Sequence, residues 1–569
     1  MRTFSLRRIR ILSVALLLAA LVLIGKLYMV QIVQEEAWSN RANRQYARPT
    51  NTLFDRGSIY FETKGGDRIA AATIKEGYTI AIIPKDIENA TSTFEAISAI
   101  IPLEQGTFLA KAFKKDDPYE EVAKRIDREK SLAIDALNIP GVKIYKDRWR
   151  VYPDGTLAAH TIGFVGYNND NKLMGRYGLE RTYESVLGRD TENLYINFFA
   201  EIFTDISKKV KGEDLEGNII TSIEPTVEAF IEKQLKSLST RYSPEVSGAI
   251  VINPKTGSIY AMAGNPSFDS NTFNIEKNPG VWSNPLVENV YEMGSIMKPL
   301  TMAAGIESGK ITPKTTYKDE GFLILDNKRI SNFDGKGRGI TTMQQVINES
   351  LNTGVAFAVS RMGKDYFADM MLNFGLGEQT GIDLPNEAKG LVDNLKTRRD
   401  VEAATAAYGQ GIAMSPINIV RALGAIANGG VLVRPHVAQK IEYSVGLSKT
   451  IEPEIGRRVV KTESAEEVTR MLVTAVDTAL LGGKAKMEHY SIAAKTGTAQ
   501  VADPKKGGYY EDQYLHSFFG YFPAYNPQFL VFLFMKHPKD AGFASETLVT
   551  PFVDITKFLI NYYQIPPDR

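Results

Sequence analysis

Residues 293–301 read Met-Gly-Ser-Ile-Met-Lys-Pro-Leu-Thr and place Ser295 three positions before Lys298. If this stretch opens a helix, the spacing puts the serine hydroxyl and the lysine amine on one face. A serine hydroxyl is a weak nucleophile at neutral pH and needs a neighbouring base. A lysine can be that base once burial or a second cation lowers its pKa. Taken alone, the tetrapeptide is a weak signal and favours a helix start with a surface lysine, so the rest of the chain has to decide.

Two further short motifs follow Ser295 in order. Ser-Leu-Asn at 350–352 comes after a helix-like stretch at 341–349, where a turn can expose both polar side chains. Lys-Thr-Gly-Thr at 495–498 opens a strand candidate. An earlier Lys-Thr-Gly at 255–257 precedes the serine and lies in a predicted hairpin turn. We therefore interpret the earlier copy as structural and the later one as functional.

The composition of the chain excludes several kinds of site. The chain has 569 residues, 67 Lys and Arg against 66 Asp and Glu, and no cysteine. The length favours two or more domains, and the balanced charge shows no basic excess that would indicate nucleic-acid binding. The absence of cysteine excludes disulfides, thiolate metal sites and a cysteine nucleophile. The five histidines are far apart in the chain, so we predict no metal site.

The N-terminus has the pattern of a membrane anchor. Four arginines in the first ten residues precede an uncharged apolar run at 11–24, and apolar residues continue to 33 with Lys26 as an interruption. A span of about 20 residues is enough to cross a bilayer. A cleaved signal peptide is the alternative, but no small-x-small cleavage site follows the apolar run. We expect a single-pass anchor with a cytoplasmic N-terminus, because the arginines stay inside, and the bulk of the chain outside.

Residues 35–222 are predicted to form a β-rich domain. Residues 107–137 are helical in character, and the charge run at 114–130 is interpreted as one solvated helix face. Strand-like segments are separated by polar turns, and they lie at 78–83, 142–145 and 218–220. This part of the chain has no nucleophile–base constellation, so we expect a spacer or docking domain.

Residues 223–569 have a different character. Strand candidates come first, helical segments dominate 295–430, and strand candidates return at the end, which favours an α+β domain with one antiparallel sheet built from distant segments. The individual predictions are helices at 225–239 and 465–481 and strands at 248–253, 258–263, 490–501 and 518–536.

Serine-x-x-lysine, serine-x-asparagine and lysine-threonine-glycine in this order are the signature of penicillin-binding proteins and their β-lactamase relatives. Nearly the whole chain resembles a class B penicillin-binding protein, a membrane-anchored D,D-transpeptidase of peptidoglycan synthesis. Met293 stands where the family usually has a proline. The segments that carry the resemblance around and after the nucleophile are 284–301, 381–385, 408–411, 495–500 and 517–524.

The first half of the chain also resembles this family. Arg-Gly-Ser at 56–58 and Gly-Leu-Glu at 178–180 are similar to motifs of its pedestal domain. The Asp-Arg-Asn-Gly that usually follows the first motif is replaced by residues 61–66. The resemblance implies an α+β fold with a transmembrane anchor at 1–34, an extended β-rich pedestal at 35–222 and a transpeptidase domain at 223–569.

The resemblance also assigns roles to residues. Ser295 would attack the carbonyl between two D-alanines and hold the remaining peptide as an acyl-enzyme, with neutral Lys298 as proton acceptor. Ser350 would relay a proton to the leaving amine. The implied catalytic residues are Ser295, Lys298, Ser350, Asn352 and Lys495, and the implied substrate-binding residues are Thr496, Gly497 and Thr498. The mechanism needs no metal or organic cofactor.

The same resemblance implies partners. The substrates would be peptidoglycan stem peptides, β-lactams would be inhibitors, and a polytopic lipid II polymerase and other divisome proteins would be partners. We expect residues 11–33 and the segment around Arg56 to carry the polymerase contact. The length of the pedestal favours the septal type over the elongation type.

Two rival functions were weighed. A β-lactamase or β-lactam sensor shares the fold, but a lactamase must activate water and the sequence shows no convincing glutamate in an Ω-loop context. A catalytically silent cell-wall scaffold would be free to lose at least one residue of the three motifs, and all of them are intact.

Overall fold

The computed structural model of the chain describes residues 54–569 apart from 171, 190–215, 398 and 445, together with the isolated positions 18, 26 and 29. The predicted transmembrane helix lies almost wholly outside the described residues. Among the described residues, no helix is both long enough and apolar enough to cross a membrane.

The described elements are numbered in chain order. The strands are β1 (Ile59–Glu62), β2 (Arg68–Ile82), β3 (Glu120–Ile126), β4 (Val142–Val151), β5 (Val165–Tyr167), β6 (Leu173–Gly175), β7 (Gly217–Thr221), β8 (Val246–Ile252), β9 (Ile259–Asn265), β10 (Thr316–Asp319), β11 (Phe322–Leu325), β12 (Lys328–Ser331), β13 (Gly339–Thr342), β14 (Val431–Val433), β15 (Ala438–Tyr443), β16 (Ser448–Thr450), β17 (Ile455–Arg458), β18 (Ala493–Ala502), β19 (Tyr509–Phe522) and β20 (Phe529–Lys536). The helices are α1 (Ala90–Ser98), α2 (Gln105–Ala112), α3 (Arg128–Asp135), α4 (Ala159–Ile162), α5 (Gly178–Thr182), α6 (Glu184–Leu187), α7 (Pro225–Tyr242), α8 (Lys298–Glu307), α9 (Met343–Glu349), α10 (Asn352–Met362), α11 (Lys364–Asn373), α12 (Asp400–Ala406), α13 (Pro416–Ala427), α14 (Thr462–Thr478), α15 (Ala544–Thr547) and α16 (Val549–Tyr563).

The chain forms two compact units. The larger unit comprises Arg56–Lys75, Arg150–Gly188 and Glu216–Arg569, and the smaller one includes Glu76–Trp149. Part of the predicted pedestal therefore belongs to the same compact unit as the motifs of the second half. The domain boundaries at 34 and 222 stay predictions.

The smaller unit packs α1, α2 and α3 against strand residues around a core of its own, which includes Ile80, Ile97, Phe108 and Ile134. Its helices begin at polar caps; for example, the Asn89 side chain accepts hydrogen bonds from the first turn of α1.

The prediction of one helical region at 107–137 is wrong in its centre. Strand β3 occupies Glu120–Ile126 and pairs with β2, so that Tyr78 faces Ile126. Pro118 follows the end of α2 and cannot continue a helix. The charge run at 114–130 is therefore divided among a turn, a strand and the start of α3.

Two pedestal motifs meet inside the larger unit. Glu180 is fully buried, and its carboxylate pairs with Arg56 and Arg150, each at 2.6 Å. Glu184 pairs with the other end of the Arg56 guanidinium at 2.6 Å. The Arg56 side chain is only 2% exposed, so its own contacts lie inside the pedestal. The expectation that the segment around it contacts a partner protein stays a prediction.

The larger unit contains the predicted antiparallel sheet, in the order β18-β19-β20-β8-β9. Alternate residues of its strands face opposite cores: Ala249 and Val251 pack with α7 and α16, whereas Ile250 and Ile252 pack in the core that includes α8, α13 and α14. The predicted α+β class is present, and the sheet joins residues from both ends of this unit. Strand β18 lies at the sheet's edge, which leaves one row of its backbone groups unpaired in the sheet.

Candidate active site

Ser295 and Lys298 lie at the junction of two helical turns. A 3₁₀ turn spans Gly294–Met297, and α8 begins directly after it at Lys298. Pro299 stands in the first turn of α8, where its missing N–H costs nothing. Ser295 is half-buried, whereas Lys298 is fully buried. The predicted helix start is present, and its lysine is not a surface residue.

The amine of Lys298 contacts the second motif. Its Nζ donates to the backbone oxygen of Ser350 and, at 3.1 Å, to the Ser350 hydroxyl. Within the described part of the chain, these two atoms are the acceptors recorded for Nζ. The amine therefore bridges the first and second motifs.

The backbone at Ser350 explains its position. Ser350 ends α9 in the left-handed conformation, with φ 57°, and its N–H donates to Val346. The chain then turns through buried Leu351 and starts α10 at Asn352. The Asn352 side chain donates to the backbone oxygen of Ser331 at 2.9 Å. The predicted turn between two helices thus presents the serine to the site.

The third motif reaches the same hydroxyl from the sheet. Lys495 lies on β18 and is 6% exposed. Its Nζ donates to Ser350 Oγ at 2.9 Å and to the backbone oxygen of Thr496 at 3.0 Å. Three residues that are distant in sequence therefore form one hydrogen-bonded group, with the serine hydroxyl between two amines.

Burial lowers the pKa of both lysines. The pKa of Lys298 falls well below its ordinary value, first because the amine is desolvated and second because the Lys495 cation is close. Desolvation lowers the pKa of Lys495 to about 7. An uncharged Lys298 beside a cationic Lys495 is the least costly protonation state, and it leaves the Lys298 amine able to accept a proton.

Glycines bring β18 close to the turn that carries Ser295. A Cβ atom at Gly497 would lie 2.3 Å from Ser517 Oγ and 2.8 Å from the Met293 oxygen. Gly409 has φ 80°, and a Cβ there would lie 2.3 Å from the backbone oxygen of Gly294. A side chain at Gly497 would push β18 away from the turn that carries Ser295. A side chain at Gly409 would push the segment after α12 away from the same turn.

Ser517 lies in the segment 517–524, to which the sequence analysis assigned no role, and the structure gives it a structural one. It lies opposite Gly497 on β19, and its hydroxyl donates to the Met293 oxygen at 2.8 Å. This hydrogen bond ties the sheet to the turn before the nucleophile. The signal in the sequence was that Ser517 immediately precedes an apolar segment, and this segment pairs with the strand of the third motif.

The two threonines of the third motif lie on the edge strand. Thr498 Oγ1 accepts a hydrogen bond from the N–H of Ala544 at 3.1 Å, so the start of α15 contacts the strand where we expect a substrate carboxylate. The structure thus brings together Ser350, Lys298 and Lys495 by direct hydrogen bonds, and Thr496, Gly497 and Thr498 follow on the same strand.

Two family models match the chain. Residues 247–554 match the penicillin binding protein transpeptidase domain, and residues 55–197 match the penicillin-binding protein dimerisation domain. The first match covers more than half of the chain and includes all three motifs.

Curated relatives match along most of the chain. Stage V sporulation protein D of Bacillus subtilis (strain 168) is 29% identical over 547 residues, which cover 94% of this chain and 82% of that protein. The peptidoglycan D,D-transpeptidase FtsI of Escherichia coli (strain K12) is 25% identical, with 99% of this chain and 92% of that protein covered.

Solved structures share the fold. Penicillin-binding protein 2X from Streptococcus thermophilus superposes with a TM-score of 0.73 at 21% identity, covering 90% of this chain and 81% of that one. Penicillin-binding protein 3 of Mycobacterium tuberculosis, in complex with aztreonam, gives a TM-score of 0.67 at 22% identity, covering 91% and 98%.

Proposed function

The chain belongs to the penicillin-binding protein transpeptidase family, and on this premise we propose that it is a peptidoglycan D,D-transpeptidase that works through an acyl-enzyme at Ser295. The observation that carries the proposal is the convergence of Lys298 and Lys495 on the hydroxyl of Ser350. A serine-type acyl transfer needs a base, a proton relay and a cation for a substrate carboxylate, and these three residues provide them.

In the proposed acylation step, the uncharged amine of Lys298 takes the proton from Ser295 Oγ. The oxygen forms a bond to the carbonyl carbon between two D-alanines, and the C–N bond then breaks. Ser350 Oγ, which is hydrogen-bonded to both amines, passes a proton to the departing nitrogen. Ser350 Oγ in turn takes the proton that Lys298 received, along the hydrogen bond between them. Lys298 ends uncharged, Ser350 keeps its hydroxyl and terminal D-alanine leaves as a neutral amine, so protons and charge balance.

Substrate alignment is assigned to β18. The terminal carboxylate of the stem peptide would bind Lys495, Thr496 and Thr498, and the peptide would add to the free edge of β18 as an extra strand. The oxyanion would lie between the backbone N–H groups of Ser295 and Thr498. Loss of one donor of this kind costs about 2.7–4 kcal/mol of transition-state stabilisation in other enzymes. Asn352 would hold the donor peptide's amide.

In the second step an amine of another stem peptide attacks the ester carbonyl. A C–N bond forms, the C–O bond to Ser295 breaks, and the proton that the attacking amine loses passes to Ser295 Oγ by way of Lys298. The product is a cross-link between two peptides. β-Lactams would acylate the same serine, and penicillin-binding protein 3 of Mycobacterium tuberculosis is a relative whose structure contains one of them, aztreonam.

The cellular setting is also part of the proposal. Residues 11–33 would anchor the chain in the cell membrane with the N-terminus in the cytoplasm, and would contact a polytopic lipid II polymerase. The likeness to FtsI and to stage V sporulation protein D supports work at a septum together with other divisome proteins. The segment around Arg56 would share this contact through groups other than the Arg56 side chain, which is buried.

Product analysis tests the proposal. Full-length protein in detergent would be given lipid-linked peptidoglycan and the products digested and identified by mass spectrometry. Cross-linked dimers with wild type and none with Ser295→Ala support transpeptidation. Peptides shortened by one D-alanine, with no dimers, would indicate hydrolysis instead, and unchanged peptides with both proteins would favour the scaffold.

A further inference from the structure

A carboxylate outside the three motifs lies three residues before the nucleophile. Glu292 is half-buried, and the hydroxyl of Tyr509 donates to it, at 3.0 Å from Oε2 and 3.3 Å from Oε1. Strands β18 and β19 form a hairpin. Tyr509 is the first residue of β19 and pairs with Ala502, the last residue of β18. The Glu292 carboxylate therefore connects the chain just before the Ser295 turn to the hairpin end of β18, the strand proposed to bind substrate.

The segment that carries this carboxylate is held on both sides of it. Tyr291 and Met414 exchange both backbone hydrogen bonds, at 2.9 and 3.0 Å, and Gly294 N–H donates to Gly409 at 3.1 Å. Only Met293 and Gly294 stand between Glu292 and Ser295, so the α-carbons of these two residues are at most about 11 Å apart even in a fully extended chain. Both groups can therefore contact neighbouring atoms of one bound peptide.

The charge of Glu292 is not neutralised within the described part of the chain. Burial raises its pKa, and the groups that lower it are the Tyr509 hydroxyl and the Gly411 backbone, neither of which is a cation. A half-buried carboxylate held only by neutral donors gains most from a cationic partner, since a charge-assisted hydrogen bond is about twice as strong as a neutral one. An arriving ammonium group would supply that partner.

We infer that Glu292, oriented by Tyr509, forms a subsite for a primary ammonium group carried by a peptide substrate. This inference rests on the proposed function. The ammonium group has two sources with the same chemistry: the acceptor amine before it loses its proton and attacks, or a free amine elsewhere on the donor peptide.

The test uses full-length protein in detergent and compares wild type with Glu292→Gln. A matched control is Glu511→Gln, which removes an exposed carboxylate from the same strand as Tyr509. In the acceptor arm, the acyl-enzyme is formed from a thioester donor that has no amine. Either a cationic primary amine or the largely uncharged hydroxylamine then competes with water for the acyl group, and the ratio of aminolysis to hydrolysis is measured. In the donor arm, acylation is compared between a peptide with a free amine and its acetylated form.

We expect Glu292→Gln to lower the ratio of aminolysis to hydrolysis for the cationic amine by about tenfold, and to leave attack by hydroxylamine unchanged, if the acceptor is the source. If the donor is the source, only acylation by the free-amine peptide falls, to the rate of the acetylated one. Tyr509→Phe should lower the same ratio or rate as Glu292→Gln, but by a smaller factor. It replaces Glu292→Gln in the test if that variant fails to fold.

Two results would overturn the inference. One is that Glu292→Gln behaves like Glu511→Gln in both arms; the other is an equal loss with charged and uncharged reactants, which indicates a structural role. Failure of the proposed function is distinguishable, because wild type itself would then give no product that depends on Ser295.

Discussion

Lys298 and Lys495 donate to the same atom, the hydroxyl oxygen of Ser350, at 3.1 and 2.9 Å. Two buried amines at this separation cannot both carry a proton without strong repulsion. In the proposed mechanism, Lys495 would therefore both bind the substrate carboxylate and keep Lys298 uncharged, so that one shared contact links the two roles.

This link predicts a bell-shaped pH dependence of acylation. The rate should fall in acid as Lys298 gains a proton, since its lowered pKa sets the acid limb. It should fall again as Lys495, with a pKa of about 7, loses its charge. The measurement is the second-order rate constant of labelling by a fluorescent penicillin from about pH 5 to about pH 10. In Lys495→Arg the alkaline limb should disappear, and an unchanged alkaline limb would contradict the assignment.

Removal of the shared hydroxyl should impair chemistry more than stability. In Ser350→Ala, the acylation rate should fall by about 10² to 10⁴, the range for a lost proton-transfer group, while the melting temperature stays close to that of wild type. Ser360→Ala is the matched control, because Ser360 is exposed on α10 and donates to its own helix. Equal rates for both variants would remove Ser350 from the mechanism.

The buried ion pairs of the pedestal predict a large stability effect. Arg56→Ala leaves the fully buried carboxylate of Glu180 with one fewer partner, and the free energy of unfolding should fall by about 3–5 kcal/mol. Arg68→Ala breaks an exposed pair with Glu442 and should cost at most about 1 kcal/mol. Denaturant unfolding of both variants gives the comparison, and similar losses would contradict the structural role of Arg56.

A pair of carboxyls on α7 predicts that stability falls with rising pH. Glu228 and Glu232 lie one turn apart; burial raises the pKa of Glu228 well above its ordinary value and that of Glu232 to about 7, with Asp154 adding to the latter. Because the folded pKa exceeds the unfolded value, the folded state binds more protons, and its stability decreases between about pH 4.5 and about pH 7.

Glu232→Gln should reduce this decrease and raise the free energy of unfolding at about pH 8 by about 1 kcal/mol or more, since one pKa unit corresponds to about 1.4 kcal/mol. The measurement is thermal or denaturant unfolding at acid and alkaline pH. Glu488→Gln, at an exposed position, should change neither value. A wild-type stability that is flat over this range would contradict the prediction.

The catalytic half of the fold was largely predictable, because its signals are local. The strands predicted at 248–253 and 258–263 and the helix predicted at 225–239 match β8, β9 and α7. The sequence did not predict α16, and short hairpins such as β11–β12 interrupt the region expected to be helical. The Asp326-Asn327 turn of that hairpin has positive φ at both residues, a local hairpin signal that the prediction of a helical region overlooked.

The site was predictable in its membership but not in its contacts. Sequence order selected Lys298 and Ser350, yet only the fold shows that they share a hydrogen bond with Lys495. The proposed role of Glu292 has no counterpart in the sequence analysis, since a lone glutamate has no pattern of its own. It becomes informative only when β19 places Tyr509 against it.

The most direct test of the central claim is covalent labelling of the full-length protein with a fluorescent penicillin, read by intact mass, beside Ser295→Ala. The account predicts one stable adduct on wild type, mapped to the peptide that contains Ser295, and none on the folded variant. An adduct that forms equally on Ser295→Ala, or a folded wild type that never acquires one, would contradict it.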